Sequence, residues 1–183
     1  MKPVLITGNQ GKLREFQAFI PELDSITLDL PEYQEIDPKH ILKLKLESAL
    51  KQAQRPVIVD DVSFYMDCIP GLPGPFIKWF NQTIGPKGLY EMADKYGNYQ
   101  AEAKCLIGYA DLDGKIMFFE GLVKGILVPS RGAEGFGFDS VFQPDGHSQT
   151  YAELDVATKN SISHRGLALR QLKQFLDRQK MGD

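Results

Sequence analysis

Hydrophobic and polar residues along the chain follow two spacings, one helical and one strand-like, in segments that succeed one another. Apolar positions at helical spacing predict helices at 12–20, 38–54, 76–82 and 86–96, and a last helix that opens at 159–165. Apolar runs and alternating residues predict strands at 4–7, 25–30, 57–59, 99–112 and 115–128. Asp113 and Gly114 separate the last two runs and predict a hairpin turn. The two long strands on either side of it are expected to form an antiparallel scaffold.

The first strand leads through a glycine-containing turn into a helix. Thr7-Gly8-Asn9 forms this turn, and Lys12 lies in the first helical turn. A helix N-terminus presents backbone N–H groups and a positive dipole end, so the arrangement predicts a site for a phosphate. The same residues also suit an ordinary turn between a strand and a helix, with Lys12 in solvent.

Carboxylates follow two of the predicted strands. Asp60 and Asp61 come directly after the apolar run 57–59, and Glu32 follows the run 25–30. Carboxylates at the end of a buried strand are costly unless they are hydrated, paired or bound to a cation. The pair therefore predicts a metal site, or else the N-cap of the next segment. Glu32 is a candidate third ligand, or an exposed loop carboxylate.

Three further segments contain candidate ligand-binding residues. Lys78 lies beside the only tryptophan, Trp79, where an exposed helix edge is the simpler interpretation. A glycine-rich loop at 129–144 contains Phe136 to Asp139, which can stack on a base and read its edge or serve only as a structural loop. The basic residues around the start of the last helix oppose its dipole unless an anion or a base oxygen binds there. They are Lys159, His164 and Arg165.

Composition limits the classes of function. The chain has 183 residues and a net charge of −3, which gives no bulk attraction to a nucleic-acid polymer or an anionic membrane. Cys68 and Cys105 form no CxxC pair and are predicted to be free thiols. No apolar run has the length of a membrane span, and the N-terminus enters a strand without a signal-peptide pattern. We therefore expect a cytoplasmic protein.

The order of the motifs is more informative than any one of them. They are Thr7-Gly8-Asn9 with Lys12 and Glu15, Leu30 to Gln34, Val59-Asp60-Asp61, Gly71 to Phe80, Gly135 to Asp139, and Thr150 to Leu154 leading into Lys159-Asn160 and Ser163-His164-Arg165. In this order they resemble the inosine triphosphate pyrophosphatase family, also called the Ham1-like or non-canonical purine nucleoside triphosphate pyrophosphatases. The resemblance extends over nearly the whole chain, from Val4 to about Leu176.

The resemblance implies a fold and an activity. The fold is α/β, with a mixed sheet and two lobes around a long central cleft, and one domain spans residues 1–183. The implied activity is Mg²⁺-dependent hydrolysis of ITP, dITP and XTP to the nucleoside monophosphate and pyrophosphate. Such an enzyme removes deaminated purines from the nucleotide pool, and the family is usually homodimeric.

The resemblance also implies roles for individual residues. Asp61 is implied as the catalytic carboxylate, and Glu32, Asp60 and Asp61 as the metal ligands. The implied substrate contacts are Thr7, Gly8, Asn9, Lys12, Lys45, Val62 and Lys78, together with Phe136, Gly137, Phe138, Asp139, Lys159, His164 and Arg165. Lys12, Lys45 and Lys78 are expected at the phosphates, and the segment from Phe136 to Asp139 at the base.

Three residues depart from the family pattern. Val62 replaces a small polar residue, Phe138 replaces a tyrosine or tryptophan, and Ser140 replaces a proline. Two other functions are compatible with the residues. One is a Maf-like pyrophosphatase that acts on pyrimidine or modified nucleotides, although the Ser163-His164-Arg165 segment favours purines. The other is a non-catalytic nucleotide-binding protein, which has little need for three carboxylates beside phosphates.

Overall fold

The computed structural model describes residues 1–181, which contain seven strands and six helices. The strands are β1 (Val4–Ile6), β2 (Ser25–Ile26), β3 (Val57–Met66), β4 (Pro73–Gly74), β5 (Gln100–Ala110), β6 (Ile116–Leu127) and β7 (Phe142–Pro144). The helices are α1 (Gln10–Phe19), α2 (Pro38–Ala53), α3 (Ile77–Thr83), α4 (Gly85–Tyr96), α5 (Val156–Ile162) and α6 (His164–Met181). Within these residues, no helix has the length and apolar character that crossing a membrane requires.

The seven strands form one mixed sheet. Its order is β2-β1-β3-β5-β6-β7, and β4 pairs with β3 outside this path. β1 pairs in parallel with β2 and with β3, whereas β4 is antiparallel to β3 and β7 is antiparallel to β6. The predicted α/β class with a mixed sheet is thus confirmed. The single domain over 1–183 and the central cleft stay predictions.

The chain divides into two compact units. Unit 1 contains Met1–Asp61, Cys105–Glu120 and the chain from Arg165 onward, and unit 2 contains Val62–Lys104 and Gly121–His164. The chain passes from one unit to the other inside β3, β5 and β6, and within the first turn of α6. Neither unit is therefore a continuous segment of sequence.

Unit 1 is built around the packing of α2. This helix begins at Pro38, and the side chain of Asp37 caps it by accepting a hydrogen bond from the backbone N–H of Lys39 at 2.9 Å. Its buried face packs close to β5 because residue 108 is glycine: a Cβ atom there would lie 2.5 Å from Cδ1 of Leu46. Burying a leucine side chain contributes about 1.5–3 kcal/mol. The core of this unit includes Val4, Ile6, Leu42, Leu46, Ala49, Val57, Val59, Leu106 and Ala110.

Unit 2 has an aromatic core. The rings of Phe64 and Phe138 lie 4.3 Å apart, and Phe142 packs edge-on against Phe138 at 6.0 Å. Such offset and edge-to-face contacts add to the stabilisation from burial alone. Around them lie Met66, Ile77, Leu89, Ala93, Ala101, Ala103, Leu127, Val141, Tyr151 and Leu154.

The local predictions were wrong in three places. β3 runs for ten residues to Met66 rather than ending at Val59, so Asp60 and Asp61 lie within the strand. β2 contains only Ser25–Ile26 of the predicted 25–30. The predicted last helix is divided, because Ser163 adopts an extended conformation (φ −71°, ψ 156°) between α5 and α6.

Candidate active site

The turn between β1 and α1 is organised by its own side chains. Oγ1 of Thr7 accepts a hydrogen bond from the backbone N–H of Asn9 at 3.1 Å. Oδ1 of Asn9 accepts from the N–H groups of Gly11 and Lys12 at 2.8 and 3.2 Å, which makes Asn9 the N-cap of α1. The first turn contains no acidic residue, so the helix dipole and Lys12 both favour an anion at this end.

Lys12 extends from this turn to Asp60. Its Nζ atom lies 3.0 Å from Oδ1 of Asp60, whose side chain is 1% exposed. Burial alone would raise the pKa of Asp60, but the charges of Lys12 and Arg165 oppose it and hold the pKa below its ordinary value. Asp60 is therefore a buried, ionised carboxylate.

Arg165 reaches the same carboxylate from the first turn of α6. Its Nε donates to Oδ2 of Asp60 at 3.2 Å, and its Nη1 donates to Oε2 of Glu15. Burial would lower the pKa of Arg165, but the carboxylates of Asp60 and Glu15 raise it, so the guanidinium is charged. The structure thus places the side chain of Arg165, predicted as a substrate contact, between two carboxylates of unit 1.

Asp61, the next residue of β3, is held by a different cation. Nζ of Lys45 lies 3.3 Å from Oδ2 of Asp61 and 3.9 Å from Oε2 of Glu32. The side chain of Asp61 is 18% exposed, and burial raises its pKa above the ordinary value despite the opposing charge of Lys45. A carboxylate with a raised pKa is a stronger base than an ordinary aspartate.

The carboxylates around Lys45 suit a metal ion that the substrate helps to bind. Within the described residues, no three His, Cys, Asp or Glu side chains are grouped so that they could hold a metal. Magnesium commonly uses only one or two protein carboxylates and completes its octahedron with water and substrate phosphates. Glu32 and Asp61, which both lie within 4 Å of the Lys45 ammonium, fit such an ion. Both oxygens of Asp60 already contact cations.

A second group of polar side chains lies in unit 2. Oδ2 of Asp139 accepts from Nζ of Lys159 at 2.7 Å and from the backbone N–H of Phe136 at 2.8 Å. Nζ of Lys159 also lies 5.2 Å from the centroid of the Phe136 ring. The ring itself is among the exposed large hydrophobic groups of the chain, and an exposed aromatic face can stack on a base.

The other members of this group are buried. The ring of Phe138 lies in the core, and the imidazole of His164 packs against it at 5.7 Å and against Tyr151 at 5.8 Å. Gly137 separates the exposed ring from the buried one at φ +65°, a conformation that favours glycine. The ammonium of Lys78 lies over the neighbouring Trp79 ring at 5.2 Å, on the exposed side of α3.

The predicted site residues thus fall into groups within each unit. In unit 1 the structure brings together Lys12, Asp60 and Arg165, and it places Lys45 between Glu32 and Asp61. In unit 2 it brings together Phe136, Asp139 and Lys159, with Phe138 against His164. Val62 is half-buried against the aromatic core. Sequence reasoning gave no role to Glu15, although its position one helical turn after Lys12 is a visible signal.

Comparison with known proteins connects this arrangement to one family. A model of the Ham1 family matches residues 3–175. The inosine triphosphate pyrophosphatase of Schizosaccharomyces pombe is 40% identical over 181 residues, which cover 97% of this chain and 96% of that protein.

Two solved structures extend the match to the fold. The Staphylococcus aureus Ham1 protein is similar with a TM-score of 0.82 and 26% identity, over 97% of this chain and all of that one. A nucleoside-triphosphatase, described as a dITP/XTP pyrophosphatase, from Mycobacterium abscessus is similar with a TM-score of 0.70 and 25% identity, over 94% of this chain and 98% of that one. With the family match over most of its length, this chain belongs to the Ham1 family.

Proposed function

We propose that this chain hydrolyses ITP, dITP and XTP to the nucleoside monophosphate and pyrophosphate, with Mg²⁺ as cofactor. The observation that supports it most is the position of Lys45, 3.3 Å from Asp61 and 3.9 Å from Glu32. This arrangement combines a phosphate-binding cation, a base and two hard metal ligands within unit 1. The 40% identity with an inosine triphosphate pyrophosphatase supports the choice of substrate.

The triphosphate is assigned to unit 1. The N-terminus of α1 offers backbone N–H groups and Lys12, and α2 offers Lys45. In this proposal Glu32 and Asp61 hold Mg²⁺. The ion, when bound, supplies neutralisation of phosphate charge, which lowers the repulsion of an incoming nucleophile. Asp60 stays a predicted ligand, although its contacts with Lys12 and Arg165 favour a role in positioning them.

Asp61 is assigned as the general base. It accepts a proton from a water molecule as the water oxygen bonds to the α-phosphorus. The bond between the α-phosphorus and the oxygen that bridges to the β-phosphorus breaks, and pyrophosphate leaves with that electron pair. The raised pKa of Asp61 suits this task, because the proton is accepted more readily than by an ordinary aspartate.

The base is assigned to unit 2. The exposed ring of Phe136 offers a stacking face, and the contacts of Asp139 with Lys159 and the backbone keep this segment in place. Inosine and xanthine carry a 6-oxo group where adenine has a 6-amino group. A donor such as His164 or a backbone N–H can bond the carbonyl but meets a second donor in adenine, which excludes that base.

A substrate panel tests the proposal. Pyrophosphate release from ITP, dITP, XTP, ATP, GTP and CTP is measured with Mg²⁺ and with a chelator. We expect ITP, dITP and XTP to be preferred, chelation to abolish turnover, and Asp61→Asn to lose it with Mg²⁺ present. A preference for CTP supports a Maf-like activity instead. Binding of ITP without hydrolysis supports a non-catalytic nucleotide-binding protein.

We further propose a cytoplasmic homodimer, which rests on the sequence resemblance. Sedimentation of the purified protein at several concentrations tests the oligomeric state. A monomer across the micromolar range contradicts the dimer.

A further inference from the structure

Four charged side chains of unit 1 are joined in series by three ion pairs and alternate in charge. We call Lys12, Glu15, Arg165 and Asp60 the charge circuit. Lys12 contacts Asp60 at 3.0 Å, Asp60 contacts Nε of Arg165 at 3.2 Å, and Nη1 of Arg165 contacts Glu15. The two end members, Lys12 and Glu15, are three residues apart in α1 and therefore lie on the same face of that helix.

The charge circuit is more buried toward its centre. The side chains of Asp60 and Arg165 are 1% and 4% exposed, that of Glu15 is 12% exposed, and that of Lys12 is 22% exposed. Two cations and two anions cancel, so the buried groups compensate one another. Lys12, the most exposed member, is the one that the proposed function assigns to phosphate.

We propose that Glu15 is a positioning residue for Lys12, acting through Arg165 and Asp60. The inference rests on the proposed function only in taking Lys12 as the phosphate-binding cation. It gives a role to Glu15, the glutamate of the first motif. It also gives a reason for the contact between Arg165 and the buried carboxylate of Asp60, 105 residues earlier in the chain.

The geometry explains how the circuit operates. A planar guanidinium donates in fixed directions, so an arginine held by two carboxylates has little freedom to turn. Arg165 therefore fixes Asp60, and Asp60 fixes the Lys12 ammonium. When the ammonium turns from Asp60 to a phosphate oxygen, Arg165 still compensates the buried carboxylate. Loss of the Glu15 charge removes one fixed contact of the guanidinium and lets Asp60 and Lys12 shift.

Glu15→Gln tests this role with a probe that has no base. Binding of tripolyphosphate is measured by calorimetry, and kcat and KM are measured for ITP and ATP. We expect tripolyphosphate to bind about ten-fold more weakly, because a charge-assisted contact that positions its ligand is lost. KM for ITP rises by a similar factor, while the ratio of kcat/KM for ITP to that for ATP is unchanged. A changed ratio, or unchanged tripolyphosphate binding, overturns the proposal.

The matched control is Glu22→Gln. Glu22 forms an ion pair with Lys180 at 2.6 Å, and both side chains are about half exposed. The same substitution there removes a carboxylate from an ion pair outside the charge circuit. We expect it to leave tripolyphosphate binding and KM unchanged, and an equal loss in this variant contradicts a specific role for Glu15.

Repeating Glu15→Gln in a variant that lacks Lys12 distinguishes a positioning role of Glu15 from a general contribution to the stability of the fold. In Lys12→Met, Glu15→Gln has no cation left to position, so we expect it to cause no further loss of tripolyphosphate binding. An equal loss in both backgrounds overturns the proposal. Glu15→Asp keeps the charge on a shorter side chain and serves if Glu15→Gln does not fold, with an expected loss of about three-fold. Tripolyphosphate binding tests the circuit even if ITP is not hydrolysed.

Discussion

The Nζ atom of Lys159 lies 2.7 Å from Oδ2 of Asp139, and both side chains are almost completely buried. The same carboxylate oxygen accepts from the backbone N–H of Phe136. One ion pair thus joins α5 to the segment that we assign to base binding.

Replacing Lys159 by methionine leaves the Asp139 carboxylate buried without this cation. Breaking a buried ion pair from one side costs about 3–5 kcal/mol. We expect Lys159→Met to lower the free energy of unfolding by an amount in this range, measured by urea denaturation. Lys159→Met combined with Asp139→Asn recovers part of the loss. The control, Lys87→Met, removes a cation from an exposed pair with Glu91 and causes no measurable change.

Asp60 predicts a pH dependence of stability. Its pKa is lower in the folded chain than in the unfolded chain, where the pKa of an aspartate is about 3.9. It therefore stabilises the fold above that pH, and this contribution is lost as the pH falls through the lower folded pKa. We expect the stability difference between the wild type and Asp60→Asn to be largest near neutral pH and to shrink below about pH 4. A constant difference down to pH 3 contradicts this assignment.

The position of Lys45 beside Asp61 predicts that removing this lysine shifts the acid limb of the pH–activity profile. Burial raises the pKa of Asp61 and Lys45 opposes that rise, so removing Lys45 raises the pKa further. The base of the proposed reaction is then protonated at a higher pH, and activity is lost sooner as the pH falls. We expect the acid limb of kcat/KM for ITP to move to higher pH in Lys45→Met. Lys43→Met, on the same helix but paired with Glu47 in solvent, keeps the wild-type profile.

Replacing Gly137 is predicted to affect both the stability of the fold and the binding of substrate, whereas replacing a similar glycine elsewhere affects stability alone. A side chain at φ +65° is strained by about 1 kcal/mol, and a Cβ atom there would lie 3.3 Å from Nδ2 of Asn81. Gly114, at φ +82° in the hairpin turn, has nothing within 4 Å of its Cβ position. We expect Gly137→Ala and Gly114→Ala to lose similar stability, but only Gly137→Ala to raise KM for ITP. Equal KM values in the two variants contradict the assignment of this segment to the base.

The sequence was sufficient for elements that local chemistry defines. The start of α2 at Pro38, its apolar spacing and the hairpin turn at Gly114 are each explained by residues within a few positions. The family resemblance carried the prediction of the α/β class, because it uses motifs from the whole chain at once.

The sequence was not sufficient where the local structure depends on contacts with residues far away in the chain. Two carboxylates after an apolar run indicated the end of a strand, yet β3 continues through them. The reason is that Lys12, Lys45 and Arg165, which are 48, 16 and 105 residues from their carboxylate partners, make these charges tolerable inside a sheet. Such pairings have no local signal. For the same reason, the contacts of Arg165 with Asp60 and Glu15 did not follow from the motifs.

The passage of the chain between the two units has a consequence for synthesis. Unit 1 contains Met1–Asp61 but is completed only by the segment from Arg165 onward, which is synthesised later. Until that segment emerges, Asp60 lacks the arginine that lies 105 residues later. Contacts with so large a sequence separation form late and slowly. A nascent chain that stops before α6 therefore carries the buried carboxylate of Asp60 without the guanidinium that contacts it.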